Sequence, residues 1–220
     1  MNRSIRRIHV GSALVLLISL PLATGARAAV SLPPVLTQAL QAMAAAHSYT
    51  ITDSTISTNS FGTTSSSDVI TVVRQGKVLE MSLVGKDRLE DGTTSFTAMV
   101  IGAKHTCIRR NGQGAWNCSL PSMGYLLTSA TSFTSPATKT GHGTWAPAGN
   151  RIIRGQDCAG FNETYTTSTL REHGTFWLSI ADKLPVQDTT YTKRNASKAT
   201  TTTVWSNWND PSLTIPNVGA

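Results

Sequence analysis

The stretch Lys104-His-Thr-Cys-Ile-Arg-Arg-Asn-Gly-Gln-Gly-Ala-Trp-Asn-Cys-Ser119 contains two short extended segments around the turn Asn111-Gly112-Gln113-Gly114. Two such segments separated by a few residues rich in Asn and Gly are typical of a β-hairpin. This is the clearest hairpin in the sequence. It predicts an antiparallel sheet, and the segments on both sides of it continue the same period of two.

Further strands are predicted wherever apolar and polar residues alternate, as they do at Leu79, Met81 and Leu83. Sequential strands joined by short turns such as Gln75-Gly76 predict a meander. The hydroxyl-rich stretches Thr63–Ser67 and Thr200–Thr203 are interpreted as turn and edge residues. The predicted strands are 48–58, 66–74, 77–85, 93–102, 104–110, 115–119, 151–155, 158–168, 173–181, 186–193 and 199–207.

Helical spacing replaces the period of two in two places. The first predicted helix opens the mature chain, with Pro33 and Pro34 in its first turn. The second is predicted near 121–131, where Pro121 can start it. Residues 132–149, rich in Thr, Gly and Pro, are predicted to form a loop. The apolar helix positions that would plug the sheet are Leu40, Met43, Met123 and Leu127. Two short helices cannot cover one face of so long a sheet, so a second layer, barrel closure or a ligand must cover the rest.

The N-terminus has the features of a secretory signal peptide. Arg3, Arg6 and Arg7 precede the apolar run Ala13–Ala23, and Ala26-Arg27-Ala28 provides a cleavage pattern. We expect residues 1–28 to be removed and 29–220 to form a single soluble domain on the periplasmic or extracellular side of the cell envelope. The chain has 19 Lys+Arg and 12 Asp+Glu. Without the four arginines of the leader the balance is 15 − 12 = +3, which does not indicate a nucleic-acid partner.

The sequence contains no recognisable catalytic motif. The acidic residues are scattered, and His105 with Cys107 offers at most two ligands of a metal site. We therefore predict a protein that is not an enzyme and that needs no cofactor or metal. A hydrolase stays as an alternative, and it would require a polar cleft holding an acid and a base close together.

Three cysteines in an exported chain favour one disulfide and one free thiol. Cys107 and Cys118 flank the hairpin, but direct cross-strand disulfides are sterically demanding. Cys118–Cys158 is therefore the preferred prediction, with three reduced thiols as a further alternative. The tryptophans are interpreted as core or rim residues, with a carbohydrate platform as the alternative; they are Trp116, Trp145, Trp177, Trp205 and Trp208.

Two C-terminal segments resemble the bacterial lipoprotein-carrier superfamily, which includes LolA-like carriers and LppX-type lipid-binding lipoproteins. Thr175-Phe-Trp-Leu-Ser-Ile-Ala-Asp-Lys-Leu-Pro-Val-Gln187 resembles its strand, turn and Leu-Pro-Val signature. Val204-Trp-Ser-Asn-Trp-Asn-Asp-Pro-Ser-Leu-Thr-Ile-Pro216 resembles its closing strand. The resemblance implies a mainly β fold in which a strongly curved antiparallel sheet, an incomplete β-barrel, carries two or three short helices on its concave side. Unlike the LppX-type lipoproteins, this sequence has no lipobox cysteine.

The resemblance implies an exported protein that binds lipid or lipoprotein acyl chains on the concave apolar face of a half-barrel. The alternative is a non-enzymatic, RseB-like sensor module that binds an envelope protein partner. The residues expected to line the ligand site are Leu79, Met81, Leu83, Met99, Ile101, Phe176, Leu178 and Ile180.

Overall fold

The computed structural model describes residues 33–76, 78–102, 105–111, 114–119 and 142–218. Within these ranges the protein is mainly β, with one helix and one antiparallel sheet. The elements are α1 (Pro34–Ala45), β1 (Ser48–Asn59), β2 (Gly62–Gln75), β3 (Val78–Arg88), β4 (Thr94–Ile101), β5 (Thr106–Arg110), β6 (Asn117–Ser119), β7 (His142–Ile153), β8 (Gln156–Thr166), β9 (Leu170–Ser179), β10 (Pro185–Arg194) and β11 (Ser197–Ser206).

The sheet has 11 strands in the order β6-β5-β4-β3-β2-β1-β11-β10-β9-β8-β7. Each half is a meander of sequential strands, as predicted, and the two halves join where β1 pairs with β11. In the described part of the chain β6 and β7 do not pair with each other, so the sheet is not closed into a barrel.

The first predicted helix is confirmed as α1. It starts after Pro33 with a proline in its first turn, where the missing N–H costs no intrahelical hydrogen bond. It ends at Ala45, and the capping residue Ala46 is extended. The guanidinium of Arg74 on β2 donates to the Ala44 carbonyl at 2.6 Å, which ties the helix end to the sheet. The second predicted helix, 121–131, lies outside the described residues.

No helix in the described ranges has the length and hydropathy required to cross a bilayer.

Strand β7 corrects two predictions. Residues 142–149 were expected in a loop, but they form the first two thirds of this strand. A separate strand at 151–155 was also expected, but the strand ends at Ile153, and Arg154 and Gly155 form the turn with φ of 52° and 78°. Positive φ at both central residues is the geometry of a tight hairpin turn. Pro147 is tolerated because β7 is an edge strand, and the register shifts between Pro147 and Gly149.

The hydroxyl-rich stretches also differ from their predicted role. Thr63–Ser67 lies within β2 and Thr200–Thr203 within β11, and both strands are paired on both sides near the centre of the sheet. Threonine suits paired strands because its branched β-carbon packs well on a pleated surface. The hydroxyls also pair across strands, as Thr55 Oγ1 and Thr201 Oγ1 do at 2.9 Å.

The predicted Cys118–Cys158 disulfide is wrong. Cys107 and Cys118 are directly opposite each other on β5 and β6 and form the disulfide, with their Cα atoms 4.0 Å apart. Cys158 lies on β8, nine positions away from β6 in the strand order, and is a buried free thiol. The hairpin register of β5 and β6, which puts these two cysteines opposite each other, determines the pairing.

We expect one alkylatable cysteine in the unfolded, unreduced protein, and it should be Cys158. In the native protein this thiol should react slowly with Ellman's reagent, because it is buried and burial raises its pKa. Peptide mapping after alkylation of the unfolded protein identifies the free cysteine. The time course of the reaction with Ellman's reagent measures the reactivity of the thiol in the native protein. A peptide linking Cys118 to Cys158 would contradict the pairing.

Candidate ligand-binding face

One face of the sheet carries the helix, and we call it the helix face. Its core is a row of directly paired residues, in which Tyr49 is opposite Val72, Val72 opposite Met81, and Met81 opposite Ile101. All four side chains are buried in one cluster with Leu36, Ala39 and Met43 of α1. Because side chains alternate between faces, this row fixes which residues of each strand share the helix face.

The next row along the strands is also apolar but less covered. Ile51 is opposite Ile70, Ile70 opposite Leu83, and Leu83 opposite Met99. These four side chains are half-buried, whereas the row under the helix is buried. The helix face therefore continues as an apolar surface beyond the helix contact.

The other half of the sheet contributes large aromatic and aliphatic side chains to the same face. Trp205 on β11 pairs with Ile51, and its ring meets the Phe176 ring edge-on, with centroids 5.7 Å apart. Leu178 on β9 is 1% exposed in the same cluster. Phe161 and Trp145, on β8 and β7, pack against this cluster and are half-buried.

The structure brings most of the predicted lining residues together. Met81, Ile101, Phe176 and Leu178 are buried in the cluster that includes the helix, and Leu83 and Met99 lie half-buried beside it. Ile180 lies outside the cluster: it follows the end of β9 and is 39% exposed, with its N–H donating to the Asp157 carbonyl.

The structure describes two of the four residues that were predicted to plug the sheet from its helices. Met43 is buried against the sheet, and Leu40 is half-buried on the helix. The side chain of Leu79, although its strand is described, lies outside the described residues, as do Met123 and Leu127. For these three residues the predicted roles stay predictions.

Sequence reasoning missed Ile51, Ile70 and Trp205. The signal for Ile70 was present, because the Gln75-Gly76 turn sets the register that puts it opposite Leu83. Trp205 could not be placed in this way, because it reaches Ile51, 154 residues away in sequence, only through the pairing of β1 with β11.

Beyond the apolar rows the helix face becomes acidic. Asp53 on β1 is opposite Asp68 on β2, and on the other side Thr203 separates Asp53 from Asp188 on β10. We call the set Asp53, Asp68, Asp87, Glu172 and Asp188 the acidic patch. Asp53 is 8% exposed and Glu172 7%. Gly85 lies beside Asp68, whose carboxylate occupies the space that a β-carbon at Gly85 would need.

Burial raises the pKa of the four aspartates of the acidic patch, and for two of them, Asp68 and Asp188, repulsion by neighbouring carboxylates adds to the effect. Burial raises the pKa of Asp188 to about 6, and the charges of Glu172 and Asp53 add to this effect. Burial raises the pKa of Asp68 to about 6 as well, with further contributions from Asp87 and Asp53. Burial also raises the pKa of Asp53 and of Asp87.

The five tryptophans do not form one platform. Trp145 and Trp205 lie on the helix face, and Trp177 packs with Cys158 and Val186 in a separate cluster. Trp116 faces the guanidinium of Arg109 at 4.8 Å, and Trp208 packs on Tyr49 with ring centroids 4.7 Å apart. The alternative of a carbohydrate platform built from all five is therefore not supported.

The suggested metal ligand pair is also not supported. Cys107 is part of the disulfide, so its sulfur is not available as a thiolate ligand. Within the described ranges no three His, Cys, Asp or Glu side chains are grouped so that they could hold a metal ion.

The open single sheet with its helix on one face is similar in fold to two solved mycobacterial proteins. The structure matches LprF from Mycobacterium bovis with a TM-score of 0.52 and 15% sequence identity, covering 85% of this chain and 96% of LprF. It matches the lipoprotein LppX from Mycobacterium tuberculosis with a TM-score of 0.50 and 14% identity, covering 82% of this chain and 96% of LppX. The resemblance predicted from the sequence is thus confirmed for the fold. No family model and no curated protein sequence matches the chain.

Proposed function

We propose that this protein is an exported, non-enzymatic carrier that holds the acyl chains of a lipid or lipoprotein against its helix face. The observation that carries the proposal is the half-buried row Ile51, Ile70, Leu83 and Met99, which continues the core beyond the helix. An acyl chain that binds to this surface leaves water, and each methylene that it buries stabilises the complex by about 0.8 kcal/mol.

The small size of α1 supports the proposal that the described part of the chain leaves much of the helix face uncovered. A helix of twelve residues is about 18 Å long and about 10 Å wide. Eleven strands at about 4.8 Å spacing span about 48 Å. The predicted export signal supports a location outside the cytoplasm.

We further propose that the sheet is curved, with α1 on its concave side. The core cluster joins Ile101 on β4 to Leu178 on β9, six positions apart in the strand order. In a flat sheet that separation is about 29 Å, more than the width of a helix. Curvature brings both halves of the sheet towards one helix. It also accounts for the burial of Asp53 and Glu172, which lie away from the row of residues that α1 covers.

Two neighbouring substitutions test the binding face. Leu83 is half-buried on the helix face, and the next residue, Val84, is 59% exposed on the opposite face. We expect Leu83→Arg to weaken binding of monopalmitoylglycerol at least tenfold, because the guanidinium occupies the apolar surface and is costly to desolvate. Val84→Arg is the matched control and should bind as the wild type does. Binding is measured by tryptophan fluorescence and by native mass spectrometry.

A milder variant, Leu83→Gln, separates loss of binding from loss of folding, and circular dichroism checks that each variant is folded. Equal loss in the Leu83 and Val84 variants, or no binding by the wild type, would refute the proposal. Native mass spectrometry of protein from its source adds the remaining test. Bound acyl species support a carrier, whereas an apo mass with a stoichiometric protein partner supports the sensor alternative.

A further inference from the structure

We infer that the acidic patch is a headgroup site, and that it selects amphiphiles whose polar end is a cationic ammonium group. This inference rests on the proposed function, since the acyl chains would occupy the apolar rows next to the patch. The two surfaces are continuous on single strands. On β1 the order is Tyr49, Ile51, Asp53, and on β2 it is Val72, Ile70, Asp68. One molecule with a long apolar tail and a charged end can therefore contact both.

An unsatisfied atom points to a ligand rather than to a purely structural cluster. Asp53 is 8% exposed, and the Thr203 hydroxyl donates a hydrogen bond to its carboxyl group. Its other oxygen, Oδ1, is buried and has no hydrogen-bond partner among the described residues. A buried carboxylate oxygen without a partner is costly, so a donor supplied from outside would stabilise it.

The charges around Asp53 favour a cation over a neutral donor. Asp68 is its direct partner on β2, and Asp188 lies in the same row on β10, two strands away on the other side. Asp87 on β3 lies two residues beyond this row, and Glu172 on β9 lies four residues beyond it, where its charge acts on Asp188. Glu163 and Tyr165 on β8 are the titratable groups next beyond Glu172, and both are buried. The basic residues on the helix face nearest to these acids are Arg110 on β5, three strands from Asp68 in the same row, and Arg194 on β10, one row beyond Glu172. Both are exposed, whereas Asp53 and Glu172 are buried. A neutral polyol satisfies hydrogen bonds but leaves the repulsion between carboxylates unchanged, whereas an ammonium group relieves both.

Aromatic side chains border the same surface. Phe176 is the direct partner of Asp188, and Trp145 is the direct partner of Glu163. Rings beside carboxylates are the usual surroundings of bound ammonium groups, because the ring face attracts a cation. Without the predicted leader the chain has a net formal charge of 15 − 12 = +3, so unspecific attraction would favour an anion. A preference for cations must therefore arise locally.

Three amphiphiles with the same C12 chain test the inference: dodecylammonium, dodecyl maltoside and dodecyl sulfate, each below its critical micelle concentration. At pH 7.5 we expect the cation to bind at least tenfold more tightly than the maltoside, by calorimetry and tryptophan fluorescence. A primary alkylammonium group stays protonated at pH 7.5 and at pH 5.0, as a lysine side chain does, so any pH dependence comes from the protein. At pH 5.0, where Asp68 and Asp188 are largely protonated, the preference should fall about tenfold.

The double variant Asp53→Asn/Asp188→Asn should lose most of the preference and still bind the maltoside like the wild type. Asp157→Asn, a change at an exposed position on β8, is the control and should keep the preference. If all three amphiphiles bind equally, or the maltoside binds best, the headgroup site is refuted while the carrier stands. If none binds, the carrier proposal fails and this inference fails with it. A cation preference that survives in the double variant also refutes the headgroup site.

Discussion

Leu178→Ala should lower the free energy of unfolding by about 3 to 4 kcal/mol, the largest effect that we expect from a single substitution. Leu178 is 1% exposed and packs in the cluster that joins α1 to both halves of the sheet. Removing a fully buried isobutyl group forfeits its transfer free energy and leaves a cavity that the surrounding side chains fill only partly. Urea unfolding followed by circular dichroism measures the change.

The same chemical change at Leu89 is the matched control. Leu89 follows β3 in a turn and is 43% exposed. Its replacement by alanine should cost less than about 1 kcal/mol, because little apolar surface is uncovered. Equal losses at the two positions would show that the cluster around Leu178 is not the core of the sheet.

The protein should lose stability as the pH rises from 5.0 to 7.5, by about 2 kcal/mol from Asp68 and Asp188 together. Their pKa is about 6 in the folded protein and about 3.9 in an unfolded chain. Between these values the folded state binds more protons than the unfolded state. Stability from these groups is therefore fully present below about pH 4 and is lost as the pH rises through 6. Asp188 should contribute more, because Asp68 is closer to solvent.

Asp188→Asn isolates this effect. The amide keeps the shape of the carboxyl group and can still accept the hydrogen bond that Thr190 Oγ1 donates at 3.0 Å. We expect the variant to be about 1 to 2 kcal/mol more stable than the wild type at pH 7.5 and to show a flatter pH profile. Asp157→Asn should leave the profile unchanged. Urea midpoints across the pH range measure both, and a destabilised Asp188→Asn at pH 7.5 would contradict the assigned cause.

Much of the sheet could be predicted from local patterns. The alternation at Met81 and Leu83 reports a strand with one buried face, and the turn Gln75-Gly76 is sufficient to pair β2 with β3. The helix could be predicted because Pro33 and Pro34 precede residues at helical spacing. In these cases the residues that determine the structure are neighbours in the sequence.

Other features depend on partners that the sequence does not place side by side. Strand β7 was missed because Pro147 and Gly149 are typical of loops, and only the position at the sheet edge makes them compatible with a strand. The acidic patch was not predicted, since Asp53 and Asp188 approach only through the pairing of β1, β11 and β10. Its carboxylates look scattered until the register is known.

The two strands at the edges of the sheet, as far as the chain is described, have a consequence for how the protein behaves at high concentration. A single sheet that does not close offers backbone donors and acceptors on which a second molecule could add strands, the first step towards fibrils. Here β6 has only three residues and is linked to β5 by Cys107–Cys118, while β7 carries Pro147 and an irregular register next to it. Both features discourage a neighbouring molecule from continuing the ladder, so the protein can keep a broad open sheet and still remain dispersed.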